Sequence, residues 1–135
     1  MDVSKLKVAM SAAMHVRDAA GALLFDDGKP VRIIFHSPAS RPFAELETRQ
    51  LARSVKRHND NDGKIVARTS DERRFEAVED LADLTIGFEN LTHGDLSGRD
   101  LHEAVYRDPG FGFLVQQANK FLNDWGNFTP ASPTS

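Results

Sequence analysis

A chain of 135 residues with 40% hydrophobic and 27% charged side chains has the size and composition of one globular domain. Its net charge of −3 gives none of the basic excess usual in nucleic-acid-binding domains, and its lack of cysteine excludes disulfides and thiolate metal sites. No stretch reaches the ~18 apolar residues that span a bilayer. Residues 1–5 also lack the features of a signal peptide, so we expect a cytoplasmic protein.

The N-terminal part is predicted to form a short antiparallel β-hairpin over residues 12–36. Residues 1–11 show no clear period and are expected to fray. Apolar and polar side chains alternate over residues 12–18, as in a half-buried strand. The turn formers at 26–30 then precede the β-branched and aromatic run 31–35, and the prolines that follow end the second strand.

A first helix is predicted from Phe43 to His58. It carries an apolar line and a basic line. The apolar line is Phe43, Leu46, Leu51 and Val55, and the basic line is Arg49, Arg53, Lys56 and Arg57. The polar segment 59–64 follows as a linker that is long enough to reverse the chain.

The longest helical pattern runs from Thr69 to Leu91. Thr69 and Glu72 have the spacing of a capping box at its start. Its apolar stripe consists of Phe75, Val78, Leu81, Ala82, Thr85 and Ile86, and its acidic residues are Glu76, Glu79, Asp80 and Asp83. This helix and the basic one either pack antiparallel with opposite charges facing each other, or present two independently solvated faces.

Two further helices are predicted in the C-terminal third. Ser97 and Asp100 have cap spacing for a short helix through Tyr106. Asp108 and Pro109 then begin a helix whose apolar stripe continues to Trp125. The fold class is therefore α+β and mainly α: the β-hairpin precedes about four helices, the last three of which form a small bundle. Residues 1–135 make one domain, with its helical part at 43–125 and a disordered tail at 129–135.

No pattern of a catalytic, cofactor or metal site is visible. The segment from Asp60 to Ile65 is similar to the middle of an EF-hand loop, but its first and twelfth ligand positions would fall on His58 and Thr69. The five histidines show no ligand spacing, and the run Gly110–Gly112 lacks the third glycine and preceding strand of a phosphate loop. We therefore expect a protein that is not an enzyme and that binds no cofactor or metal.

Aromatic residues are concentrated in the C-terminal third. They are Phe88, Tyr106, Phe111, Phe113, Phe121, Trp125 and Phe128. Phe111 and Phe113 are two residues apart and cannot both face inward from one helix. At least one aromatic side chain is therefore a candidate for contact with a partner, unless the short helix before it covers the cluster.

The order of these features resembles a known family. A Gly28–Val31 turn and a Ser37-Pro38 loop precede the segment Ile86–Leu91, the segment Tyr106–Phe111, and a last helix that closes on Asn127-Phe128. This order is similar to that of the small tail assembly chaperones of long-tailed bacteriophages and prophages.

The resemblance implies a protein of the infected bacterial cytoplasm that binds the tape measure protein while tail tube subunits polymerise around it. Such a chaperone leaves before the virion is complete. Its partners would be the tape measure protein and the tail tube protein, with self-association also compatible. A chaperone for amphipathic helices needs an apolar groove, which we place between the Thr69 and Asp108 helices. The predicted partner-binding residues are Phe88, Leu91, Tyr106, Phe111, Phe113 and Trp125.

Two alternatives to the chaperone stay open from the sequence. The first is a tail structural or completion protein that remains in the virion. The second is a small nucleic-acid-binding regulator whose phosphate contacts would come from Arg49, Arg53, Lys56 and Arg57.

Overall fold

A computed structural model describes residues 1–64 and 67–130 of the chain. Its centre is a three-stranded antiparallel sheet of β1 (Ser11–His15), β4 (Arg32–His36) and β5 (Thr85–Glu89), in the order β1-β4-β5. Met14 lies opposite Ile33, which lies opposite Phe88, and a bulge follows between Ile34 and Phe35. The predicted pairing of the two N-terminal strands is confirmed, and a third strand from the middle of the chain joins them.

The connection between β1 and β4 contains a second, two-stranded ladder of β2 (Phe25–Asp26) and β3 (Lys29–Pro30). Asp27 and Gly28 form its turn, with φ values of +50° and +76°. Two adjacent positive φ values define the tight turn that matches the twist of paired strands. The turn predicted at residues 26–30 is therefore present and closes a hairpin of its own.

Four α-helices follow the hairpin region. They are α1 (Arg41–Asp60), α2 (Ser70–Leu84), α3 (Gly98–Arg107) and α4 (Gly112–Leu122). Thr69 caps α2 by accepting a hydrogen bond from the Glu72 N–H, as its spacing predicts. Ser97 occupies the N-cap position of α3, but its side chain accepts no capping hydrogen bond. The predicted fold class, α+β with four helices, is confirmed.

The core lies between the inner face of the sheet and the helices α2, α3 and α4. The sheet contributes Ile33 and Phe35, which are completely buried, as is Val16 directly after β1. The helices contribute mainly aliphatic residues to the same cluster, including Val78, Leu81, Leu101, Val105, Leu114 and Leu122. From α1, in contrast, only Leu46 is buried. Most of the length of this 20-residue helix therefore lies outside the core.

The helices α1 and α2 pack antiparallel through charged side chains. Arg57, near the end of α1, donates to Glu76 at 2.6 Å, and Arg49, near its start, donates to Asp83 at 2.6 Å. Between these pairs, Arg53 donates to Asp80. Of the two arrangements left open by the sequence, the paired one is confirmed. Lys56 is the exception, because it is exposed and lies 3.5 Å from Asp60 of its own helix.

Several predicted boundaries are wrong. The helix predicted to continue through Ile86 ends at Leu84, because Thr85–Glu89 pairs with β4 as a strand. The polar linker begins later than predicted, since Asn59 and Asp60 still belong to α1.

At the C-terminal end, Pro109–Phe111 and Trp125–Phe128 are 3-10 turns on either side of α4. In the first, the Asp108 side chain accepts from the Gly110 N–H. At the N-terminal end, the Ala9 N–H donates to the Phe128 carbonyl at 2.6 Å, so residue 9 is held against the last turn. Most of the predicted disordered tail, from residue 131 onward, lies outside the described residues.

Candidate interaction surfaces

Three of the six predicted partner-binding residues belong to the core region around β5 and α3. The Tyr106 side chain is only 3% exposed, and its hydroxyl lies 2.8 Å from that of Thr85. Phe88 is half-buried, and the centroid of its ring lies 4.5 Å from that of the His102 ring. Leu91 is half-buried against the same core. Tyr106 therefore belongs to the core and not to an exposed binding surface, which corrects its assignment.

The rings of Phe111 and Phe113 are both half-buried. Phe111 lies in the 3-10 turn before α4, and the centroid of its ring is 5.9 Å from that of the His93 ring. Phe113 belongs to α4 itself. The expectation that one of these rings must point outward assumed that both lie in one helix, and it is wrong for that reason. Trp125, at 54% exposure, is the most accessible of the six predicted residues.

An apolar groove lies between α2 and the start of α4, where the sequence placed one, but of the six predicted residues only Tyr106 lines it. Ala77, Val78 and Leu81 form its α2 side. Gly112 and Val115 of α4 form the other side, with Tyr106 and Pro109 at one end. Its volume of about 150 Å³ matches a cavity that holds a molecule the size of benzene. The groove therefore accommodates one large apolar side chain.

The rim of the α2–α4 groove is charged. Arg74, Arg107 and Asp108 lie at its edge. Arg107 is 3.9 Å from Glu103, whereas Arg74 forms no ion pair within the described part of the chain. The combination of an apolar floor and a partly cationic rim suits a helix that presents a large apolar side chain with acidic neighbours. The sequence did not reveal these residues as part of a binding surface, because Ala77 and Gly112 contribute to the groove only by leaving space between the helices.

The basic line of α1 is not arranged for binding phosphate. Arg49, Arg53 and Arg57 all pair with carboxylates of α2. A nucleic acid would have to displace these partners to reach the guanidinium groups. This pairing weighs against the nucleic-acid alternative.

The opposite side of α1 is apolar and faces solvent. Leu51 is 66% exposed and Val55 is 50% exposed. Ala44 and Thr48 are also exposed and precede Leu51 by seven and three positions. We call the set Ala44, Thr48, Leu51 and Val55 the α1 outer face. Since an amphipathic helix normally turns its apolar side inward, this helix has the reverse arrangement.

Comparison with protein-family models, curated proteins and solved structures finds no match. The described residues contain no group of three or more His, Cys, Asp or Glu side chains that could hold a metal ion. None of the helices in the described ranges is long and apolar enough to cross a membrane.

Proposed function

We propose that this protein is a tail assembly chaperone of a long-tailed phage or prophage, which binds helical segments of the tape measure protein in its α2–α4 groove. The open groove between α2 and α4 carries this proposal. A tape measure protein is a long chain of amphipathic helices that aggregates when its apolar stripes are exposed. The chaperone covers part of such a stripe until tail tube subunits replace it.

The groove suits transient binding to many similar segments. Its volume of about 150 Å³ takes one side chain at a time, and a single buried Leu or Phe contributes only about 1.5–3 kcal/mol. Such a contact is weak enough to be released by an advancing tube and recurs wherever the client repeats an apolar side chain. The cationic Arg74 on the rim favours client segments with neighbouring carboxylates.

The test fills the groove without disturbing the core. Ala77 lines the groove and is exposed, so Ala77→Trp places an indole in the open space while the fold is kept. Ala77→Ser at the same position leaves the groove open and is the matched control. Phe88 and Phe111 are unsuitable for this test, because both pack against the core and their loss would weaken folding.

Binding is measured by co-purification with fragments of a tape measure protein encoded beside the gene. We expect Ala77→Trp to lose the fragment at least tenfold and Ala77→Ser to retain it. If both variants retain the fragment equally, the groove is not the binding site. Mass spectrometry of purified virions distinguishes the alternative of a structural protein, which would be present in stoichiometric amounts, whereas a chaperone would be absent.

A further inference from the structure

The α1 outer face has the spacing of a coiled-coil seam. Ala44, Thr48, Leu51 and Val55 follow one another at intervals of four, three and four residues. This is the a/d pattern by which one helix packs against another over about two heptads. The small side chains of Ala44 and Thr48 allow a close approach of a second helix. The opposite side of α1 packs against α2 through Arg49, Arg53 and Arg57. The seam itself has no partner within the described chain.

Charges along one flank of this seam identify the second helix. Glu45 lies near the start of this flank and Lys56 near its end, with opposite charges. Each now pairs within α1, Glu45 with Arg41 at 3.0 Å and Lys56 with Asp60 at 3.5 Å. Both pairs are exposed and of the kind that contributes little to stability. Glu45 and Lys56 are therefore available to another chain.

Glu45 and Lys56 become complementary to each other across two copies of α1 when one copy runs in the opposite direction. An antiparallel copy of α1, centred close to Leu51, brings Glu45 of each chain beside Lys56 of the other. This follows because positions 45 and 56 lie on the same flank and are equally distant from the centre. A parallel copy in register would instead bring this flank beside the opposite flank of the second helix, where Glu45 finds no Lys or Arg. Charge order therefore selects an antiparallel pair.

We propose that the α1 outer face is a self-association site, at which α1 of a second copy of this chain packs antiparallel with Leu51 near the twofold axis. Each protomer then covers the apolar face that its own α1 leaves open, and two reciprocal Glu45–Lys56 pairs flank the contact. This surface lies on α1 and is separate from the α2–α4 groove. The inference does not depend on the identity of the client.

The oligomeric state of the full chain tests the contact. By sedimentation equilibrium, we expect a monomer–dimer equilibrium that Leu51→Glu shifts at least a hundredfold toward monomer. Leu51 is two-thirds exposed, so far-ultraviolet circular dichroism should show that the variant still folds. Leu51→Ala is the smaller change and should weaken the dimer less than the glutamate. A chain that is monomeric at millimolar concentration, or a dimer indifferent to Leu51→Glu, would overturn the proposal.

Charge reversal tests the orientation. Glu45→Lys or Lys56→Glu alone places like charges together in both reciprocal pairs and should weaken the dimer about tenfold. An equimolar mixture of the two single variants should form heterodimers, because both cross-chain pairs are then of opposite charge. The double variant should also regain the dimer. If neither the mixture nor the double variant recovers affinity, the antiparallel arrangement is wrong.

Cross-linking gives an independent measure of orientation, since the chain contains no cysteine. A Leu51→Cys variant should form a disulfide-linked dimer under mild oxidation, because position 51 lies near the axis. An Ala44→Cys variant should not, since the two copies of position 44 are separated by about 20 Å along an antiparallel pair of helices. In a parallel pair in register, both cysteines would face their copies across the seam, and both variants would be cross-linked. Ala77→Trp should leave the dimer intact, so failure of the groove and failure of this site can be distinguished.

Discussion

The hydroxyl of Thr85 lies 2.8 Å from the hydroxyl of Tyr106, at the point where α2 ends and β5 begins. The Thr85 hydroxyl donates its own proton to the Leu81 carbonyl at 2.7 Å. Tyr106 must therefore be the donor to Thr85. Burial raises the pKa of Tyr106 far above its usual value, so the phenol keeps the proton that this bond requires.

Replacing Tyr106 with Phe should cost about 1 kcal/mol in the free energy of unfolding, because it removes a buried hydrogen bond without leaving a cavity. Urea denaturation measures the loss. In a Thr85→Val background the same change should cost much less, since the acceptor is already gone. Equal losses in the two backgrounds would mean that the hydroxyl pair contributes nothing.

Acid should weaken the fold through His102. Burial lowers the pKa of His102, and the nearby positive charge of Arg99 lowers it further. Above the ordinary pKa of about 6.5, the imidazole is neutral in both the folded and the unfolded chain, so it contributes no pH dependence. As the pH falls below that value, the unfolded chain gains a proton that the folded chain does not accept, and stability falls until the lower folded pKa is reached.

The measurement is the urea midpoint between pH 7.5 and pH 5. His102→Leu should flatten this dependence. A slope that His102→Leu does not alter would assign the acid sensitivity to other groups.

Local patterns predicted most elements of the fold, but not the third strand. The residues Thr85 and Ile86 continue the apolar spacing of α2, so helical periodicity alone extends the helix through them. Their β-branched side chains and the adjacent Gly87 favour a strand instead. What decides between the two is pairing with Arg32–Phe35, some fifty residues earlier in the chain. Such a long-range contact is not visible in a local pattern.

The candidate surfaces were also predicted only in part from the sequence. The spacing of acidic and basic residues gave the antiparallel α1–α2 pair as one of two alternatives, and only the tertiary structure decides for it. The apolar line of α1 was misinterpreted, because Leu51 lies about 140° around the helix from Leu46 and so on nearly the opposite side. A helical projection would have separated them. The groove depends on the approach of α2 to α4, which only the tertiary structure provides.

The α1–α2 pair should be sensitive to salt through Glu76. Glu76 accepts from Arg57 at 2.6 Å and also from Arg68, and it lies 3.8 Å from Arg53. We expect Glu76→Gln to cost about 1 kcal/mol at low ionic strength, as for a network of partly exposed pairs. The difference should decrease toward zero near 1 M salt, where the screening length is about 3 Å.

Hydrogen exchange locates the effect of Glu76→Gln. Amides in the second half of α1 should exchange faster in this variant, whereas those of the sheet should not change. Arg107→Gln is the control, because Arg107 is exposed and its carboxylate partner is 3.9 Å away. If the control destabilises the chain as much as Glu76→Gln does, the network has no special role.

Two glycines provide a matched pair for testing the hairpin turn and the third strand. Gly28 has a φ of +76° in the turn between β2 and β3, whereas Gly87 in β5 has no such conformation, and a Cβ at either position would meet no atom within 4 Å. Gly28→Ala should therefore cost about 1 kcal/mol from backbone strain alone. Gly87→Ala should be neutral or stabilise by up to about 0.5 kcal/mol, since alanine restricts the unfolded chain and fits an extended backbone. Thermal unfolding of both variants measures the difference, and a harmless Gly28→Ala together with a damaging Gly87→Ala would contradict both assignments.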